Sequence, residues 1–278
     1  MPSGEKNPIN GRLPSTLRLL TWNVDFLTEN ASERLGAALG HIQRDVFRCR
    51  AGEGPEPCCI LLQEVHIEAF HVILDNEWVR QHFAIAPVSP DKWPPHAEYG
   101  NVTLVSRTIP ISEVWSLEFE SSAMSRNALL VDLKLSESDS DSRVVTLRVA
   151  NTHLESLSLG EKVRPVQMGL IAKLLKEKGI DGGIVGGDMN AIGASDAGIA
   201  RSVGLVDSWK GREEDEEGYT WGYQTSEEYP PGRLDKILFT PGRRIEVEEP
   251  KMIGVGVTTV DDIWVSDHYG LITTVRML

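Results

Sequence analysis

The stretch IVGGDMN, residues 184–190, joins a short apolar run to two glycines, an acid and an amide. It follows a segment with helical spacing, so it reads as a buried strand entered from a helix. Glycine tolerates the backbone angles of a sharp stop, and the pair predicts a turn where the strand ends. Asp188 and Asn190 are thereby delivered at a strand end, on one side of an extended backbone. An acid there can take a proton from water, and a neutral amide beside it donates a hydrogen bond without adding charge. That pairing suits hydrolysis of an anionic substrate. Taken alone, the same residues also make an ordinary turn.

Outward from this stretch the chain alternates helices and strands. Residues 161–178 carry Val163, Val166, Leu170, Leu174 and Leu175 at helical spacing and end at Gly179. LRLLTWNV (17–24) and CCILLQEV (58–65) are apolar strands with polar ends; further strands are predicted at 144–151, 234–239 and 270–275. A helix is predicted from Ser32 and another over 66–79. The loop VSPDKWPPHAEY (88–99) is too aromatic for a mere spacer, and the acidic serine run 136–142 reads as a solvated hairpin loop. With no repeat and no dividing linker, the expectation is one α/β domain over 17–278 behind a flexible arm, 1–16.

Composition narrows the function classes. Of 278 residues, 41% are hydrophobic and 25% charged, a globular balance, but the net charge is −13. No broad basic face is expected, which disfavours strong non-specific duplex binding; a local basic groove or a metal ion can still recruit a phosphate. Cys49, Cys58 and Cys59 show no CxxC spacing and read as reduced, partly buried thiols. The N-terminus lacks an apolar signal core, and no apolar run reaches membrane length. A soluble protein of the nucleus or cytoplasm, not secreted, is expected.

Several β segments end in residues that a core would not choose: Asn23, Glu64, His153, Asp188 with Asn190, Asp235, and Asp267–His268. Each has a bland explanation as a cap, an ion-pair partner or a satisfied core histidine. Together they point to metal-assisted phosphodiester hydrolysis. A hard divalent ion needs oxygen ligands and keeps several waters, so one or two carboxylates suffice. Glu64 is the first metal ligand in this scheme, with Asp267 and Asn23 contributing directly or through water. Asp188 activates the attacking water and Asn190 holds it or the phosphate in line. His153 and His268 donate to phosphoryl oxygens, and Asp235 orients His268 through its other ring nitrogen. No GxSxG, P-loop, HExxH or zinc-ligand spacing competes with this scheme.

TWN, LQEV, NTHLES, GGDMN, RLDKILF and SDHYGL stand in the order found in the endonuclease/exonuclease/phosphatase family, which includes the DNase I-like nucleases. The chain resembles that family from about residue 17 to its C-terminus. The resemblance implies a four-layer α/β/β/α sandwich, an α/β (α+β) fold of two mixed, mainly antiparallel sheets flanked by helices. TWNVDFL followed by SERL, together with MSRNALL, THLES, YTW and SDHYGL, is similar to the branch that removes tyrosyl adducts from DNA 5′ ends. Those adducts are left by abortive topoisomerase II cleavage. The resemblance implies a monomeric DNA-repair hydrolase using Mg²⁺, with Mn²⁺ as a substitute, on single-stranded or frayed 5′ ends carrying the adduct.

It also implies further contacts: Ser156 with phosphate, and Trp221 as a groove wall unless it packs beside Trp209. Arg126 would meet the substrate backbone unless it pairs with a surface acid, and Tyr99 would face the adduct side. Two departures bear on the substrate. Ile192 stands where animal members of the branch carry an arginine that helps hold DNA, and the acidic loop EEDEE (213–217) precedes YTW. The region that binds ubiquitin ahead of the animal catalytic domains has no counterpart here, so the catalytic module alone is expected. Two other readings stay open: the same chemistry on RNA, nucleotides or another small phosphoester, and a silent binding scaffold. The scaffold reading predicts loss of Glu64, Asp188 or a histidine, and all are present.

Overall fold

The apolar runs lack polar alternation because both of their faces are covered. The computed structural model describes residues 12–137, 143–225 and 229–278. Its strands begin with β1 (Thr16–Asn23), β2 (Cys58–His66), β3 (Phe83–Ala86), β4 (Tyr99–Ser106), β5 (Ile111–Glu118), β6 (Asn127–Ser136) and β7 (Val144–His153). They continue with β8 (Gly182–Asp188), β9 (Val206–Asp207), β10 (Asp235–Phe239), β11 (Ile245–Val247), β12 (Lys251–Ile253) and β13 (Gly270–Met277). One sheet has seven strands in the order β11-β13-β1-β2-β4-β3, with β12 also on β13; the other has six, β5-β6-β7-β8-β10-β9. β1 with β2 and β7 with β8 are parallel, and the remaining pairs are antiparallel.

Strand period places alternate side chains on opposite faces. Leu17 and Leu19 of β1, with Cys59 and Leu61 of β2, meet Leu133, Leu147, Ile184 and Ile237 between the sheets. Leu20, Trp22, Ile60 and Leu62 face outward onto α1 (Ala31–His41), α2 (Phe70–Asp75) and α3 (Glu77–His82). On the far side Leu130, Ala150, Val185 and Leu238 pack under α4 (Arg164–Leu175) and α5 (Ile199–Ser202). The result is four layers, helices–sheet–sheet–helices. A polar bridge crosses the inner core near the strand ends. Gln63 Nε2 donates to Asn151 Oδ1 at 2.7 Å, and Asn151 Nδ2 donates to the carbonyls of Leu62 and Val102. Buried amides satisfied in this way fix one offset of the two sheets.

Several boundaries differ from the sequence reading. The helix expected over 66–79 is a 3₁₀ turn followed by α2 and α3, broken at Asn76. Asn76 is extended and its side chain accepts from Val79 N–H at 3.0 Å, so the apolar spacing spans a capped break. The helix expected over 161–178 starts at Arg164, with Pro165 in its first turn. Proline has no N–H to give and suits a helix start. The strand at 184–190 ends at Asp188, and its glycines lie within β8. All three cysteines are buried and free. Residues 1–11 of the expected arm and 138–142 of the expected hairpin loop lie outside the described residues. Pro14 and Ser15 carbonyls accept from Ser136 and Met277 N–H groups. Among the described residues no helix is long and apolar enough to cross a membrane.

Candidate active site

The antiparallel partners bring strand beginnings and strand ends to one edge. β1, β2, β7 and β8 finish there, carrying Asn23, Glu64, His153 and Asp188. β10 runs against β8 with Asp235 opposite Asp188, and β13 runs against β1, so Asp235 and the Asp267–His268 pair arrive from the starts of their strands. His153 and Asp188 are also in register across the parallel β7–β8 pair.

The two glycines of the opening stretch serve close approach rather than a turn. Gly187 has φ 150°, and a Cβ there would fall 1.8 Å from the Thr152 carbonyl oxygen. The turn comes later, at Asn190, where φ is 47° and the N–H donates to Asp188 Oδ1 at 2.8 Å. The Asn190 amide donates to the Leu154 carbonyl at 2.9 Å. Glu64 is reached by a second irregularity. The β2–β4 register shifts between Leu62 and Val65, and Glu64 takes φ 59° inside that bulge. A bulge re-aims a side chain at the cost of backbone strain, which a glutamate tolerates only when held. Two donors hold it: Phe26 N–H to Oε2 at 3.0 Å and Asn23 Nδ2 to Oε1 at 3.1 Å.

Asn23 Nδ2 also donates to Asp188 Oδ2 at 3.1 Å, and its Oδ1 accepts from Asp25 N–H. His153 Nε2 lies 3.6 Å from Glu64 and 3.4 Å from Asp188. Glu64, His153 and Asp188 thus present ligand atoms within 4.8 Å of one another. Asp267 stands to the side, 3.9 Å from His268 Nε2, and accepts from the Trp221 indole at 2.8 Å. Trp221 therefore faces the site.

The two histidines differ in charge. Arg126 donates to His153 Nδ1 at 2.8 Å; arginine can only donate, so the His153 proton sits on Nε2. Burial, Arg126 and His268 push its pKa well down, and it is neutral. For His268, burial alone would lower the pKa, but Asp235, Asp267 and Asp188 outweigh it and raise the value well above the ordinary one. Its Nδ1 donates to Asp235 at 2.7 Å, and its Nε2 lies 3.8 Å from Asp188. Burial raises Asp188, helped by Asp235 and opposed by His268, the Asn190 N–H and Asn23. Burial carries Glu64 up to about 7; Asp267 adds to the rise, while Phe26 N–H, His268 and Asn23 oppose it. Crowded, desolvated acids of this kind suit a divalent cation, and the oxygens of Glu64 and Asp188 fit a hard one.

Arg126 draws the remaining expected residues together. It donates to the Tyr99 hydroxyl at 2.9 Å and to Ser156 Oγ at 2.8 Å, beside its bond to His153. Sequence reasoning missed what holds these groups. Glu155 accepts from Ser122 Oγ and Ala123 N–H, fixing the turn before Arg126. Buried Arg164 pairs with Asp196 and donates to the Glu155 and Leu157 carbonyls. Buried Arg34 donates to five carbonyls, those of Val24, Asp25, Thr28, Glu29 and Val265. No local pattern marks Arg34; only SERL, part of the resemblance, contains it. The acidic loop does not stand free: Glu213 is paired with Lys236 and Arg233.

The model of the Endonuclease/Exonuclease/phosphatase family matches residues 20–268. No curated protein matches the chain by sequence. Among solved structures, Danio rerio TDP2 complexed with single-strand DNA product matches with TM-score 0.72 and 19% identity, covering 95% of this chain and 100% of that one. Truncated Caenorhabditis elegans TDP2 matches with TM-score 0.70 and 19% identity, covering 94% and 97%. The human Nocturnin catalytic domain with bound sulfate matches with TM-score 0.65 and 18% identity, covering 96% and 97%. At these identities the likeness is one of fold.

Proposed function

The chain belongs to the endonuclease/exonuclease/phosphatase family, and from that membership we propose that it is a Mg²⁺-dependent phosphodiesterase cleaving 5′-phosphotyrosyl adducts from DNA ends. The observation that carries the hydrolytic part is the convergence of Glu64, His153 and Asp188 beside the His268–Asp235 pair. Glu64, with Asp188 beside it and with Asp267 and Asn23 contributing directly or through water, would hold Mg²⁺ (or Mn²⁺), which when bound supplies positive charge to the phosphoryl oxygens. His153, accepting at Nδ1 and protonated at Nε2, acts as a donor there and not as a ligand.

Asp188, raised toward neutrality by burial, takes a proton from the attacking water, and Asn190 positions that water. The water oxygen bonds to phosphorus as the bond to the tyrosyl oxygen breaks. Neutral His153 donates from Nε2 and cationic His268 from its own Nε2 to oxygens on which charge grows. Asp235 keeps the His268 proton in place. Arg126, Ser156, Tyr99 and Trp221 line the approach, and Asn23 holds Glu64 and Asp188 together.

Support for the tyrosyl-DNA substrate comes from the sequence motifs and the TDP2 likeness. Ile192, 51% exposed after Asn190, and the net charge of −13 favour a second reading: RNA, nucleotides or another small phosphoester. A panel of 5′-tyrosyl and 3′-tyrosyl oligonucleotides, RNA, abasic duplex and an aryl phosphodiester, with Mg²⁺ or chelator, separates them. Turnover of 5′-tyrosyl DNA that chelator abolishes is expected. If that substrate is untouched while another is hydrolysed, the second reading replaces the first.

A further inference from the structure

The loop leaving β1, residues 24–29, is held more tightly than a connection requires. Four of the five carbonyls bonded by Arg34 belong to it, and Asp25 Oδ1 accepts from the N–H groups of Leu27 and Thr28. At its tip the Phe26 N–H is committed to Glu64, and the Phe26 ring lies on Tyr99 with centroids 3.7 Å apart and planes 23° from parallel. Tyr99 in turn takes its hydrogen bond from Arg126, and its ring centroid is 6.3 Å from that of His153. Phe26 is half-buried, and Leu27 beside it is 80% exposed. Trp221 is held elsewhere, against Asp267 and His268.

We propose that Phe26, extended by Leu27, is a stacking platform that selects a flat, uncharged aryl ring esterified to the phosphate. The proposal rests on the phosphodiesterase reading for the place of that phosphate, beside Glu64 and His153. A ring on this platform gains stacking and burial without needing a cation, which suits a chain of net charge −13. Because Arg34 already fixes the loop, little ordering is left to be done on binding. Recognition then depends on the group next to the scissile phosphate, and hardly on a long polyanion behind it.

Calorimetric titration of phenyl phosphate and of methyl phosphate into the Mg²⁺-loaded full chain tests this without requiring turnover. The wild type should bind phenyl phosphate more tightly by about fivefold, the size of one aromatic contact. Phe26→Ala should bring the ratio close to one, and Phe26→Trp should restore it. Leu27→Lys, at an exposed position, should lower the ratio without touching the fold. Both Phe26 variants keep the backbone N–H on Glu64, so the Mg²⁺ titration reports whether the loop is intact. Equal affinity in the wild type, no binding of either compound, or a ratio unmoved in Phe26→Ala and Leu27→Lys overturns the platform. Failure of the phosphodiesterase reading has a different signature: the ratio is kept, yet no diester in the panel is hydrolysed.

Discussion

His268 donates from Nδ1 to a carboxylate oxygen of the fully buried Asp235 at 2.7 Å, and the other Asp235 oxygen has no hydrogen-bond partner. A buried acid with half its capacity unused is costly unless its charge is needed. The pair keeps His268 cationic while its Nε2 faces Asp188.

Asp235→Asn should therefore release the His268 proton at neutral pH. In the wild type the ring stays protonated as pH rises through its ordinary range, and in the variant it titrates below that. Loss of a charged donor to the phosphoryl group predicts a fall in kcat of about 10²-fold. Proton–nitrogen NMR of the ring checks the charge; an unaltered titration would remove Asp235 from this role.

Asp188→Asn should lower turnover by about 10³-fold, the range for loss of a general base. Burial raises the Asp188 pKa, so the neutral amide relieves a desolvated charge. Thermal stability should hold or rise, as differential scanning calorimetry would show. Retained activity counts against Asp188 as the base.

Glu64 gives a signed pH effect in metal-free protein. Its folded pKa, about 7, lies above the ordinary 4.5, so the folded state holds more protons between these values. Stability is then present below about 4.5 and lost as pH rises through about 7. Glu64→Gln should flatten this slope, and Mg²⁺ should stabilise the wild type more at pH 7.5 than at 5.5. Denaturation midpoints against pH, with and without Mg²⁺, decide it.

Arg34→Lys should weaken both fold and site. An ammonium cannot span five carbonyls as a guanidinium does, so about 3 kcal/mol of stability should be lost. Val265 is two residues before Asp267, and Val24 is next to Asn23. A weaker Mg²⁺ titration in the folded variant would separate positioning from bulk stability; an unchanged one assigns Arg34 to stability alone.

The layers were legible because β1 and β2 are apolar on both faces, and such strands must lie between a sheet and helices. The residue types at the strand ends were legible too, since polar groups closing apolar runs stand out. Less visible was the break at Asn76, where apolar spacing runs through a capped turn. The meaning of Gly187 was also misread: it admits the Thr152 carbonyl at a distance no side chain allows. Such clashes arise between strands, and a window of sequence cannot register them.

What the sequence determined by itself was the layered sheet core and the set of acids, amides and histidines at its polar edge. What only the tertiary structure decided was the state of those groups. His153 is neutral because it is buried and because Arg126, 27 residues away, donates to its Nδ1, and His268 is cationic because Asp235, 33 residues away, accepts from its own. Glu64 points into the site because a bulge turns it and the Phe26 N–H holds it there. Charge and aim depend on desolvation and on partners distant in the chain, and folding alone sets those distances.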